Sequence, residues 1–216
     1  MCNRLRKIDE LIRSDHYYLE AEDECYYLLE YTAGKGFEYS KANSIITNFK
    51  KKMNRQGMPD WKYKAKSIRE VSGYLLGVLG TDYLSQVTLM PIPPSKAKSD
   101  PNYDDRMLQM LNQMCQGVNT DIRELITLKQ TIQASHERAD RPSPDELIDC
   151  FQIDDSLCHT PVNTILLFDD MITTGSHFKA CKRMILDLFP EASVYGIFIA
   201  RRSIEDDFFG INIGGD

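Results

Sequence analysis

Two adjacent carboxylates, Asp169 and Asp170, directly follow the apolar run TILLF. Ionised carboxylates only accept hydrogen bonds, so an adjacent pair suits a vicinal diol or a divalent cation. The same charge would repel a phosphate placed directly against it. The pair therefore indicates a site for hydroxyl groups or for a metal ion.

The next residues, MITTGS, have the character of an anion site. Gly175 allows a close backbone approach, and hydroxyl donors are supplied by Thr173, Thr174 and Ser176. The segment leads into a predicted helix, whose free N–H groups and dipole attract an anion. Acids and turn together describe a site for a sugar phosphate with free hydroxyls. The competing interpretation is a pair of solvated aspartates that cap a helix.

The stretch ILLFDDMITTGS resembles the 5-phosphoribosyl-1-pyrophosphate (PRPP) motif of type I phosphoribosyltransferases. The resemblance implies that Asp169 and Asp170 hold the ribose 2- and 3-hydroxyls. It implies that the turn from Ile172 to Ser176 binds the 5-phosphate, and that Mg²⁺ arrives with the ligand and meets the acids through water. A receiver domain with a phospho-accepting aspartate is the other candidate, but it would not require Thr-Thr-Gly.

A proline-rich turn, MPIPPSK, follows the apolar segment QVTL. Type I enzymes have a second loop here whose backbone holds the pyrophosphate, so the resemblance places Pro94, Ser95 and Lys96 at that position. PIPPSK followed by Arg106 is similar to the ComF-type, competence-related branch of the family. The alternative for Lys96 is a solvated side chain on a proline turn.

Residues 131–147 are polar, contain prolines and lack a helical face over much of their length. Loops of this length inside a domain are usually lids or binding segments. The ComF-like resemblance implies a flexible lid over about 129–150, from which Lys129 and Arg138 reach the pyrophosphate, and Arg106 is a further candidate for that contact. Lys129 stands where an arginine is common in that branch. A charged loop without a ligand role is the alternative.

Arg201 and Arg202 follow the last apolar segment, FIA. This is the sheet edge where parallel α/β folds bind ligands, so both are candidates for ligand contact. A surface salt bridge is an equally good interpretation. His136 is expected to be a solvent-exposed loop residue, and His177 is expected on the helix surface.

From residue 85, apolar segments of strand length alternate with helical patterns, which predicts an α/β fold with a central, mostly parallel sheet flanked by helices. Strands are predicted at 86–92, 124–128, 163–168 and 192–200, and helices at 104–114 and 174–188. The resemblance implies a type I phosphoribosyltransferase-like core over 85–216.

Residues 1–84 are expected to form an N-terminal hood of helices and a strand. The patterns predict a helix at 2–13, a strand at 25–32, a helix capped by Ser40 with Lys50, Lys51 and Lys52 in its last turn, and a helix at about 64–79 ended by Gly80. In type I enzymes the hood selects the acceptor, but no residue here identifies one.

Composition favours one main domain: the chain has 216 residues, of which 42% are hydrophobic. No apolar run approaches the roughly 20 residues of a membrane span, the N-terminal residues are not signal-like, and a cytoplasmic location is expected. Six cysteines without a C-x-x-C pair favour a reducing compartment, and the spacing of Cys150, Cys158 and His159 matches no zinc pattern. The net charge of -6 disfavours broad nucleic-acid binding but leaves local basic patches open.

The expected function is transfer of a phosphoribosyl group from PRPP to an unknown nitrogen acceptor, with Mg²⁺ and release of pyrophosphate. A rival from a different class is a non-catalytic PRPP- or nucleotide-sensing module that acts on a protein or nucleic-acid partner. A third interpretation is a scaffold with an empty site. No membrane is expected, and a protein partner and a homodimer are left open.

Overall fold

The computed structural model describes residues 4–131, 141–158, 160 and 162–203. The α-helices there are α1 (Lys41–Phe49), α2 (Lys62–Leu79), α3 (Thr81–Leu84), α4 (Arg106–Met114), α5 (Pro144–Cys150) and α6 (Ser176–Leu188). The strands are β1 (Arg6–Lys7), β2 (Cys25–Thr32), β3 (Thr88–Pro91), β4 (Asp121–Ile122), β5 (Ile126–Leu128), β6 (Phe151–Ile153), β7 (Thr164–Ile172) and β8 (Ser193–Ser203). No helix in these ranges is long and apolar enough to span a bilayer.

A six-stranded sheet in the order β1-β2-β8-β7-β3-β4 forms the centre of the molecule. Its pairings are parallel, apart from the antiparallel pairing of β1 with β2. β7 lies between β8 and β3, and its continuous apolar run fits a strand that is buried on both faces. The predicted α/β fold with a mostly parallel central sheet is confirmed.

Helices cover both faces of this sheet and enclose two apolar cores. One core joins the sheet to α1, α2 and α4, and its fully buried side chains include Phe49, Leu75 and Met110. The other joins the opposite face to α5, α6 and the small sheet, with Leu147 and Ile185 among its members. Two buried faces hold β7 rigidly, so residues near its end have fixed positions.

The predicted helix at 2–13 is wrong for the described residues, which begin at residue 4. Arg6 and Lys7 form β1 and pair with Tyr27 and Tyr26 of β2, and a short 3-10 turn follows at Arg13–Asp15. The apolar spacing does not mark one buried face, because Leu11 is 82% exposed. Pairing with the edge of the sheet outweighs the helical pattern.

The rest of the predicted hood is closely joined to the sheet, since β2 pairs in parallel with β8 over most of its length. The Ser40 hydroxyl accepts from the Asn43 N–H and caps α1, as predicted. Lys50, Lys51 and Lys52 follow α1 instead of forming its last turn. α2 begins two residues earlier than predicted and ends at Gly80.

The segment ELITL contains a strand, but that strand does not belong to the central sheet. β5 pairs antiparallel with β6 in a separate two-stranded sheet. The short β4, which the sequence analysis missed, is the parallel neighbour of β3. Such two-residue strands carry no pattern that a sequence can reveal.

The polar segment 131–147 ends in a helix where a loop was predicted. Ser143 and Glu146 form a reciprocal capping box, Pro144 occupies the first turn, and α5 begins there. Leu147 is fully buried, and α5 packs against α6. The predicted lid therefore includes a packed helix, and its residues 132–140 lie outside the described ranges.

Both strands that carry candidate site residues are longer than predicted. The parallel pairing of β7 with β8 continues to Ile172 and Arg201, so both aspartates and both arginines lie within strands rather than after them. All four remain at the carboxyl-terminal end of the sheet, where parallel α/β folds place ligand sites.

Candidate functional site

Asp170 is the buried member of the acidic pair, with a side chain only 5% exposed. Its Oδ1 accepts a hydrogen bond from Lys50 Nζ at 2.7 Å, and its Oδ2 accepts from Arg106 Nε at 3.0 Å and from Arg106 Nη2 at 2.5 Å. Burial opposes ionisation, but these two cations hold the pKa of Asp170 well below its usual range. Asp170 is therefore a carboxylate that joins the end of α1 and the start of α4 to β7.

The network extends behind Arg106. Arg106 Nη1 donates to Asp104 Oδ2 at 2.7 Å, and Lys64 Nζ of α2 donates to the same oxygen at 2.7 Å. Lys64 is buried and also donates to the carbonyl oxygens of Phe49 and Lys51. Burial lowers the pKa of Lys64, although its pairing with Asp104 opposes that shift. Three helices and β7 thus meet in one set of ion pairs that is mostly buried, with Lys50 as its most exposed member.

Asp169 is half-buried and has a different environment. Its Oδ1 accepts the Asp170 N–H at 2.7 Å. Burial, together with the negative charge of Asp170, raises the pKa of Asp169 to about 7. Close to neutrality this group can accept or donate a hydrogen bond, which suits contact with a hydroxyl.

The turn after β7 has the predicted geometry of a loop into a helix. Gly175 has a φ of 84°, in the left-handed region that favours glycine, and α6 begins at Ser176. Thr174 Oγ1 donates to Ser176 Oγ at 3.3 Å. Ile172 is 2% exposed, so its side chain belongs to the core and only its backbone faces the turn.

An N-terminal segment, residues 16–19, packs on this turn, and nothing in the sequence indicated it. Tyr18 N–H donates to the Thr174 carbonyl oxygen at 2.9 Å, and His16 Nδ1 donates to the Thr173 carbonyl oxygen. His16 is fully buried, and burial lowers its pKa, although the bond to Thr173 opposes that shift. The carbonyl side of the turn is therefore held by neutral donors from a segment distant in sequence.

A groove lies beside Asp169 and includes part of the predicted pyrophosphate loop. It is lined by the prolines after β3, by the first turn of α4 and by β5, including Pro94, Lys96 and Arg106. Lys96 Nζ is 3.6 Å from Asp100 Oδ2, and Ser95 is exposed without lining the groove. The structure therefore brings Lys96 and Arg106 to the same groove as Asp169.

A second, smaller recess runs from Asp169 along the turn and is lined by Thr173, Gly175, Ser176 and His177. The expectation that His177 lies on the helix surface is wrong for this reason. Burial lowers the pKa of His177 to about 4, with further contributions from nearby positive charges, so its imidazole is neutral at pH 7. A neutral imidazole can donate and accept hydrogen bonds within the recess.

Arg141, which the sequence analysis did not select, adds positive charge near the recess. Burial has the largest effect on the pKa of His177 and lowers it, whereas the negative charge of Asp170 raises it. The positive charge of Arg141 lowers the pKa of His177 further. Burial lowers the pKa of Arg141 itself, and the charge of Arg202 lowers it further. Arg202, one of the predicted sheet-edge residues, is thus close to Arg141.

The remaining predicted residues are not brought to the groove. Arg201 Nη1 donates to Asp15 Oδ2 at 2.6 Å and Nη2 donates to Glu30 Oε1 at 3.3 Å, which is the salt-bridge alternative. Lys129 Nζ donates to the Asp149 carbonyl oxygen at 2.8 Å and so holds the end of α5. Arg138 and His136 lie outside the described residues.

Within the described ranges, no group of three or more His, Cys, Asp or Glu side chains could hold a metal ion. No protein-family model matches this chain, and no curated protein matches it. Functional inference therefore depends on the site itself, which combines a near-neutral carboxyl group, a helix N-terminus and several cations.

Proposed function

We propose that this chain binds PRPP and transfers its phosphoribosyl group to a nitrogen acceptor, with release of pyrophosphate. The observation that carries the proposal is the position of Asp169. Its half-buried carboxyl group adjoins both the groove with Lys96 and Arg106 and the recess at the start of α6. One end of a sugar phosphate can occupy the recess while the other end extends along the groove.

The 5-phosphate is assigned to the turn at residues 172–176. α6 has 13 residues, so its first N–H groups carry the partial positive charge of a full helix dipole. Gly175 adopts a conformation that other residues rarely adopt, and the Thr174 and Ser176 hydroxyls are already close to each other. The contacts from Tyr18 and His16 occupy carbonyl oxygens, which leaves the N–H side for the anion.

Asp169 is assigned to the ribose hydroxyls, and Asp170 is given a supporting role. Asp170 already accepts three hydrogen bonds from Lys50 and Arg106, so a diol would have to compete with two cations. Asp170 instead fixes the Arg106 guanidinium at the edge of the groove. Its Nε and Nη2 donate to Asp170 and its Nη1 donates to Asp104, so Arg106 offers a phosphate its positive charge and the remaining N–H groups of Nη1 and Nη2.

The pyrophosphate is assigned to the groove, where Lys96, Lys98 and Arg106 supply positive charge. Besides Asp169, three carboxylates line the groove, of which Asp104 is paired with Arg106 and Glu124 with Lys98, while Asp105 is the third. Mg²⁺ bound to the pyrophosphate would supply further charge neutralisation, and the carboxyl group of Asp169 is the acidic side chain that fits such an ion. In the reaction, the acceptor nitrogen forms a bond to the anomeric carbon as the bond to the pyrophosphate oxygen breaks. The acceptor then loses its proton, and the protein's part is to orient the ribose and stabilise the leaving group.

Calorimetric titration of PRPP into the protein, with and without Mg²⁺, tests the binding step. Asp169→Asn keeps the size of the side chain but removes its charge, so at about pH 8, where the carboxyl group is mostly ionised, it should weaken binding by about tenfold or more. Asp145→Asn, an exposed substitution on α5, is the matched control and should bind as the parent does. Absence of Mg²⁺-dependent heat with the parent protein would refute the proposal.

A second candidate, a non-catalytic sensor of PRPP, is favoured by the contact between residues 16–19 and the turn. A ligand in the recess would act directly on backbone that this segment holds through Tyr18 and His16. A pyrophosphate-release assay with a panel of nitrogen acceptors separates the two candidates. Release above the Asp169→Asn background supports transfer, whereas tight binding without release supports sensing.

A further inference from the structure

A wide groove separates α1 from α2 on the outer surface of the molecule. Its volume is about 990 Å³, and its floor includes Ser44, Ile45 and Ser67. Its lining residues belong to α1, α2 and the segments that flank α1, so it is formed apart from β7 and the acidic pair. No step of the proposed reaction uses this groove.

Residues 35–70, which include all the residues that line this groove, carry a positive net charge, whereas the whole chain has a net charge of -6. Residues 35–70 contain ten Lys and Arg against three Asp and Glu, whereas the whole chain has 26 basic and 32 acidic residues. Two of those lysines, Lys50 and Lys64, point to the ion-pair network behind Asp170. The other eight leave the surface around α1 and α2 strongly positive.

Some of the cations that line the groove are already paired, and others are not. Lys41 Nζ is 2.6 Å from Glu70 Oε1, and Lys51 Nζ is 3.0 Å from Asp60 Oδ2. Within the described ranges, Lys66 and Arg69 form no ion pair with a carboxylate, although the positive charge of Lys66 also acts on Glu70, and both are exposed. These two cations on the same helix provide contacts for an anion that enters the groove.

Aromatic side chains lie toward both ends of α1. Phe37, which precedes α1, is 54% exposed. Tyr63 is 43% exposed, and its ring centroid lies 5.5 Å from Lys51 Nζ, beyond the other end of α1. Exposed rings of this size are costly in water, but they are suitable platforms for stacking.

We propose that the groove between α1 and α2 binds single-stranded nucleic acid. Phosphates would contact Lys66 and Arg69, and unstacked bases would pack on Phe37 and Tyr63. A positive groove with aromatic platforms is the general form of a sequence-tolerant single-strand site. An anionic membrane is a poorer fit, because a flat surface cannot reach residues on the floor of a groove. This proposal does not depend on PRPP binding.

Fluorescence anisotropy with a labelled thymidine 20-mer and a labelled uridine 20-mer tests the proposal at about 50 mM salt, where single-strand contacts are strong. Binding in the micromolar range is expected for at least one of the two. The variant Lys66→Gln/Arg69→Gln should lose about tenfold in affinity. Because each neutralised phosphate contributes about 0.7 to the salt slope of a single strand, this variant should also lower the slope by about 1.4. Tyr63→Ala should lose about tenfold through stacking.

The matched control is Arg4→Gln/Arg13→Gln, which removes two cations from the N-terminal segment, outside the groove; like Lys66 and Arg69, neither forms an ion pair among the described residues. It should change the affinity less than about twofold, because contacts away from the groove add only weak, screened attraction. An equal loss in control and groove variants would overturn the proposal. So would the absence of binding to either oligonucleotide, or binding to vesicles of anionic phospholipid alone.

Discussion

Asp169 and Asp170 are neighbours in the chain, yet they belong to regions of opposite character. Asp170 is almost completely buried and accepts hydrogen bonds from Lys50 and Arg106, and Arg106 is in turn tied through Asp104 to Lys64. Asp169 is half-buried, accepts a backbone N–H, and adjoins the groove and the recess. The closed region behind Asp170 is mostly buried and its carboxylates are already paired, with Arg106 and Asp104 reaching the edge of the groove, whereas the region in front of Asp169 is accessible.

This difference follows from the geometry of a strand, because consecutive side chains leave a strand on opposite faces. An acid-acid pair within β7 therefore cannot present both groups to the same environment. The pKa of Asp170 is lowered by cations, and that of Asp169 is raised by burial and by Asp170 itself. The pair is better understood as one anchoring carboxylate and one carboxyl group available to a ligand.

The largest expected effect lies in the closed region. Asp104→Asn keeps the shape of the side chain but removes the charge shared by Lys64 and Arg106. Because breaking a buried ion pair leaves uncompensated charge, the free energy of unfolding should fall by about 3 kcal/mol. Urea denaturation at neutral pH measures this loss.

The control for that experiment is Asp145→Asn, which breaks the exposed pair between Asp145 and Arg183. Exposed pairs contribute little, so the loss should be below about 1 kcal/mol. If both variants lost similarly small amounts of unfolding free energy, the ion pairs behind Asp170 would not stabilise the fold more than an exposed pair does.

The second expected effect is that Asp169 and Asp170 make the free energy of unfolding depend on pH in opposite ways. The pKa of Asp169 is raised in the folded state, so the folded protein binds this proton more tightly than the unfolded chain does. The stability that Asp169 contributes should therefore fall as pH rises from about 4 to about 7, and Asp169→Asn should gain about 1 to 3 kcal/mol relative to the parent at about pH 8. At about pH 4 the two should be nearly equal in stability.

Asp170→Asn should behave in the opposite way. The pKa of Asp170 is lowered on folding, so its contribution is present above about pH 4 and is lost as pH falls further. The variant should be less stable than the parent by about 3 kcal/mol at neutral pH, and the gap should narrow in acid. Free energies of unfolding across this pH range give both curves. If the two variants showed the same dependence of unfolding free energy on pH, Asp169 and Asp170 would not differ in the way described.

Much of the positioning framework could be predicted from local patterns. The apolar runs of β7 and β8, the Ser40 cap of α1 and the helix after Gly175 were all visible in the sequence and are present in the structure. The turn at 173–176 was recognisable because glycine and hydroxyl residues have specific local uses. Sequence patterns that act within a few residues predict local structure correctly because tertiary contacts do not override them here.

The supporting contacts of the site could not be predicted, because they join segments that are distant in sequence. Lys50 belongs to a run of three lysines, and only the fold decides that it reaches Asp170, which is 120 residues away. His16 likewise meets the turn across 157 residues. The capping box of Ser143 and Glu146 was a local signal for α5, and the sequence analysis overlooked it.

The smallest expected effect concerns the accessible region and the segment that packs on its turn. Gly175 and Gly117 have nearly the same backbone conformation, with φ of 84° and 81°. A Cβ at residue 117 would meet no atom within 4 Å, whereas a Cβ at residue 175 would lie 2.9 Å from Leu19 Cδ2. Gly117→Ala should therefore cost about 1 kcal/mol from the left-handed backbone alone. Gly175→Ala should cost about 1 kcal/mol more, because Leu19 must also move.

Thermal or urea unfolding of both variants measures that difference, and Leu19→Ala provides the test of its cause. In a Leu19→Ala background the clash is removed, so the extra cost of Gly175→Ala should largely disappear, as a double-mutant cycle would show. Equal costs for the two glycine variants in the parent would mean that residues 16–19 do not constrain the turn. If the same turn also holds the 5-phosphate, as proposed, a confirmed coupling predicts that ligand binding and the position of this segment are linked.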